Sequence, residues 1–113
     1  MVKKETDMSA ILKRSNRGGI PCMKSSSAVV SDTTLTVTFP TYTNFPKNFS
    51  GEMILNIEQS FTSTGVTSVI LVIQGTSIQL KTNASSAATS TEIPAPGIYE
   101  VFVDNSTQTI QLI

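Results

Sequence analysis

Histidine and tryptophan are missing from this 113-residue chain, and cysteine occurs once, at Cys22. Without histidine the chain lacks the commonest general base and the commonest metal ligand. A lone cysteine forms no internal disulfide and no multi-cysteine zinc site, so the core is expected to hold by packing alone. Beside Pro21, Cys22 reads as a small, partly covered thiol rather than a nucleophile. No apolar run approaches the ~20 residues of a membrane span, and no apolar core of a secretory signal follows the first lysines. These gaps point away from an enzyme, a metal protein and a cofactor protein. They also make a membrane partner unexpected.

The net charge is zero, but the charges are segregated. Up to residue 24 the basic residues Lys3, Lys4, Lys13, Arg14, Arg17 and Lys24 face only Glu5 and Asp7. From Ser25 onward, Lys47 and Lys81 stand against Asp32, Glu52, Glu58, Glu92, Glu100 and Asp104. Each part therefore carries four charges in excess, positive first and negative after, which describes a basic arm on an acidic body. Met8, Ile11 and Leu12 are spaced to share one face of a short helix. Gly18 and Gly19 would end such a helix, and Pro21 with Ser25, Ser26 and Ser27 reads as an extended linker. The arm is therefore placed at residues 1–27 and the body at 28–113.

The body is patterned for strands. Val69, Ile70, Leu71, Val72 and Ile73 form an unbroken, largely β-branched run, the signature of an inner strand covered on both faces. Leu35, Val37 and Phe39 alternate with Thr34, Thr36 and Thr38 within one strand expected over residues 29–39. Met53, Leu55 and Ile57 alternate in the next, expected over 53–61. Gly75-Thr76 fits a hairpin turn that pairs Ile73 with Ile78 and Leu71 with Leu80. A closing hairpin around Asn105-Ser106 pairs Tyr99 with Leu112 and Val101 with Ile110. The expected fold is all-β: about six antiparallel strands in a β-sandwich or small barrel, with an extended N-terminal arm.

Candidate chemistry is sparse. Glu52 and Glu58 would share a strand face, but six residues at ~3.3 Å each hold them roughly 20 Å apart, too far for a glycosidase pair. Asp104 with Glu100 or Glu92 lacks a calcium-loop pattern. Tyr42, Phe45 and Phe49, with Phe39, concentrate four of the seven aromatics in eleven residues. They form either a stacking platform for a glycan or a plug at one end of the sheet. The basic residues lack interleaved aromatics, which favours a protein partner over nucleic acid.

The basic leader, the Ser/Thr-rich alternation and the single cysteine together resemble small virion proteins of tailed bacteriophages. The likeness is to the capsid auxiliary and decoration type and covers the layout of the whole chain. It implies a structural protein made in the host cytoplasm and carried in the virion, without a signal peptide. Its arm would lie on a major capsid protein or another virion protein, with further contacts between copies. Lys3, Lys4, Met8, Ile11, Leu12, Lys13, Arg14 and Arg17 would make the contact, apolar burial at ~1.5–3 kcal/mol per fully buried side chain outweighing exposed ion pairs at ~0–1 kcal/mol. A second, local likeness is carried by residues 93–104, Ile-Pro-Ala-Pro-Gly-Ile-Tyr-Glu-Val-Phe-Val-Asp. This run resembles the closing hairpin of bacterial surface glycan-binding lipoproteins. It implies a carbohydrate-binding module using Tyr42, Phe45 and Phe49. A small inhibitor or adaptor is the third reading.

Overall fold

A computed structural model describes residues 13–14, 20–41 and 48–113. The helix expected around Met8, Ile11 and Leu12 lies outside the described residues, within which every regular element is a strand. In chain order these are β1 (Lys13–Arg14), β2 (Pro21–Lys24), β3 (Ser27–Ser31), β4 (Thr34–Thr38), β5 (Ser50–Ile57), β6 (Ser68–Ile73), β7 (Thr76–Lys81), β8 (Gly97–Asp104) and β9 (Thr109–Leu112).

The all-β expectation holds, but six antiparallel strands do not describe the result. The nine strands form one mixed sheet in the order β1-β2-β5-β8-β9-β7-β6-β4-β3, curled into a half-barrel. Three of its eight ladders are parallel: β2 with β5, β4 with β6, and β7 with β9. Sequence neighbours pair as antiparallel hairpins, as expected in β6–β7 and β8–β9 and without such an expectation in β3–β4. The parallel ladders join segments far apart in the chain, where no turn signal announces them.

Two differences concern the first third of the chain. The strand expected over 29–39 is two strands, folded back at Asp32-Thr33 with Asp32 in the left-handed region (φ 54°). Aspartate tolerates that conformation better than most residues. The segment expected to be a linker is part of the sheet. β2 runs beside β5, and Met23 opposite Leu55 is fully buried. The sheet therefore begins well before residue 28.

Residues 21–31 are one extended segment that serves both ends of the sheet. Its first part pairs with β5 and its second with β4. Between them the Ser25 N–H donates to the Asn56 carbonyl (2.9 Å) and the Ser26 N–H to the Thr38 carbonyl (2.7 Å). Ser25 is the buried polar residue of the described fold. Its hydroxyl accepts from the Glu58 N–H (3.0 Å) and donates to Gln59 Oε1, while Gln59 Nε2 donates to the Ser25 carbonyl (3.0 Å). All its polar atoms are thus paired, as burial demands.

One core fills the curl. It takes Met23, Met53, Leu55, Ile57, Val101, Val103 and Ile110 from one half and Leu35, Val37, Val69, Leu71, Ile73, Ile78 and Leu80 from the other. In β6, Val69, Leu71 and Ile73 point into this core while Ile70 and Val72 are half-buried on the outer face. The apolar run is an inner strand, but its outer face is only partly covered.

Both expected hairpins keep their faces and shift their register by two. Leu71 pairs with Ile78 and Val72 with Ser77 around Gln74-Gly75. Positive φ at Gln74 (56°) and Gly75 (77°) marks a type I′ turn in place of the expected glycine-first type II′ turn. Val101 pairs with Leu112 and Val103 with Ile110 around the four-residue turn 105–108.

Candidate functional site

The basic leader enters the sheet at β1. Lys13 pairs with Cys22 and Arg14 with Pro21, so this segment is anchored at the end of the sheet opposite β3. Lys3, Lys4, Met8, Ile11, Leu12 and Arg17 lie outside the described residues. Neighbouring Cys22 is partly buried, and burial, ahead of the opposing influence of Lys24, raises its pKa. The thiol is kept protonated and unreactive near neutrality, as the sequence suggested.

Of the aromatic trio, Tyr42 and Phe45 lie outside the described residues. Phe49 packs against the core and is half-buried. Its carbonyl accepts from the Asn105 N–H (2.8 Å), which ties the end of that loop to the β8–β9 turn.

The carboxylates do not converge. Glu52 is exposed on the outer face of β5, opposite Phe102. Glu58 lies beyond the end of β5, and its Oε2 is 3.9 Å from Lys24 Nζ in an exposed pair, an arrangement worth ~0–1 kcal/mol. Asp104 accepts from the Ser106 hydroxyl (2.7 Å) and N–H (3.2 Å), and the Ser106 hydroxyl chiefly holds its pKa below the ordinary carboxylate range. Glu92 accepts from the Thr89 N–H (2.8 Å), the main cause of its lowered pKa, and from the Thr89 hydroxyl (3.1 Å). Both are turn carboxylates whose ionised form is held by local donors. Among the described residues no three of His, Cys, Asp and Glu are grouped to hold a metal, and no helix is long and apolar enough to cross a membrane.

One feature had no counterpart in the sequence reading. The tips of the β6–β7 and β8–β9 hairpins border an open cleft of about 790 Å³. Asn48, Gln74, Asn105 and Gln108 line it, with Ile73 and Ile78 also contributing. Carboxamides carry both donors and acceptors and suit polyhydroxylated ligands without adding charge. Three of the four lie in hairpin turns, but only the fold shows that the two turns meet.

The chain matches no protein-family model, no curated protein and no solved structure.

Proposed function

We propose that the chain is a non-catalytic structural module that docks on a larger protein assembly through its basic N-terminal segment, in the manner of a capsid auxiliary or decoration protein in a virion. The observation that carries this reading is the anchoring of Lys13–Arg14 at one end of the sheet. It gives the excess positive charge before residue 25 a defined point of departure from an acidic body. Apolar contacts of Met8, Ile11 and Leu12 would supply most of the affinity. Lys3, Lys4, Lys13, Arg14 and Arg17 would set orientation and association rate against an acidic partner surface. In this reading the docking segment ends before residue 21, because Pro21–Lys24 and Ser27 are strand residues.

Removing residues 1–12 tests the reading while leaving all nine strands present. The full chain is expected to sediment with assembled particles of its source, and the truncated chain to remain in the supernatant while keeping its melting temperature. Equal sedimentation of both, or of neither, would rule out docking through this segment. Removal of residues 1–27 is unsuitable, because it deletes β2 and fully buried Met23.

A carbohydrate-binding module is the second reading, favoured by the carboxamide-lined cleft that Asn48, Gln74, Asn105 and Gln108 border. Substituting Gln74 and Gln108 by alanine would then weaken retention on immobilised glycans without changing particle sedimentation. Retention unaffected by both substitutions would remove this reading.

A further inference from the structure

β3 lies at the far end of the sheet, and its ladder partner among the described residues is β4 alone. Edge strands are normally blunted by charge, proline, bulges or shortness, because a free row of backbone groups invites another strand. β3 has neither charge nor proline: it reads Ser-Ala-Val-Val-Ser, and its five pairs with β4 run without a bulge. Val29 at its centre is 57% exposed on the outer face. On the inner face Ala28 and Val30 pack against the core but remain only partly buried. Among the described residues, nothing pairs with the outer backbone edge of β3, and the rim of the core beneath it is only partly covered.

The strand is also nearly symmetric about Val29. Antiparallel pairing of two copies centred there sets Ser27 against Ser31, Ala28 against Val30, and Val29 against its own counterpart. Apolar meets apolar on the inner face, and Asp32 falls beside Ser26 rather than beside another carboxylate. This self-complementarity is what a two-fold isologous contact requires. We propose that β3 is a self-association edge: two copies of this chain join their β3 strands antiparallel, with Val29 on the two-fold axis, into one continuous sheet. The occupant is a second copy, since the edge has no charge with which to select a partner of opposite sign. A five-residue strand contact falls short of the ~1,000 Å² expected of a stable interface. The dimer is therefore weak and reversible in solution, with a Kd between about 1 μM and about 1 mM, and gains strength where many copies are held together.

The test is sedimentation velocity on the full chain from about 10 μM to about 1 mM, bracketing that range. The native chain is expected to shift from monomer to dimer with concentration. Val29→Lys and Val29→Glu, at an exposed position, should each stay monomeric with unchanged melting temperatures, because the axis places like charges face to face. An equimolar mixture of the two variants should recover dimer, now as a heterodimer with opposite charges on the axis. That recovery also demonstrates that both variants are folded. A native chain that stays monomeric over the whole range overturns the proposal. So does a dimer that survives Val29→Lys, or a mixture that fails to recover, since the contact would then lie elsewhere or in another register.

Discussion

Between β7 and β9 the two halves of the sheet are joined by a ladder; between β2 and β3 they are joined by the chain itself. The ladder is short, Leu80 with Ile110 and Lys81 with Gln111, and both apolar side chains are fully buried beneath it. Gln111 Nε2 adds a bond to the Ser85 hydroxyl (2.9 Å) above. The chain junction at Ser25 and Ser26 has no apolar side chain at its centre. It is held by hydrogen bonds in which a buried serine donates to Asn56 and Gln59 and accepts from Glu58 and Gln59. One junction is held by packing, which is non-directional and tolerant of shape-conserving change. The other is held by particular atoms, which a change of one oxygen disrupts.

The contrast can be pressed in order of effect. Leu80→Ala should be the most damaging, about 2–5 kcal/mol by urea unfolding, because it opens a cavity where the halves meet; Leu80→Met should recover most of that loss. Ser25→Ala should cost about 1–3 kcal/mol, because it leaves the Glu58 N–H and the Gln59 carboxamide short of a partner in a buried site. Ser25→Thr should not recover that loss fully, since the added methyl enters a site that is 5% exposed. If Ser25→Ala proves more costly than Leu80→Ala, the packed junction is the lesser of the two. The smallest effect is one of pH. The loop after β7 hangs from it through the Ala88 N–H on the Leu80 carbonyl (3.0 Å) and runs on into the Thr89–Glu92 turn. The Glu92 carboxyl is lowered from its ordinary value of 4.5 by the Thr89 N–H. Its ionised form therefore stabilises the fold at pH values above 4.5, and that stability is lost as the pH falls through the lowered value. Glu92→Gln, which keeps an acceptor oxygen, should flatten the acid limb of thermal stability against pH and leave the neutral value nearly unchanged. An unaltered acid limb would show that the turn carboxylate does not report on this junction.

Faces were legible in the sequence, whereas partners were legible only in part. The expected hairpins put Ile73 with Ile78, Leu71 with Leu80, and Val101 with Ile110 on shared apolar faces, and all six are buried. Registers missed by two because turn chemistry, not alternation, decides them, and a shift of two leaves every side chain on its own face. Asp32 carried the signal for the turn between β3 and β4, and so did the change in parity of the inward residues, from Ala28 and Val30 to Leu35 and Val37. β2 was missed because a proline and a run of serines outweighed Met23, whose burial depends on a parallel partner more than thirty residues away. The cleft followed the same rule: Asn48, Gln74, Asn105 and Gln108 become neighbours only once β7 has paired with β9 and β5 with β8.

The parallel pairing of β2 with β5 has a consequence for how the chain is made. Residues 21–24 leave the ribosome early, yet their ladder is completed only when residues 54–56 have followed, and β5 in turn waits for β8. This ladder is thus deferred until β8 has been synthesised, and closing such distant contacts places the fold among slowly folding β-proteins, in the range of ~ms to seconds. Until then the uncharged Ser27–Ser31 segment is exposed on the nascent chain, where crowded translation would bring identical strands together before the sheet exists to hold them apart.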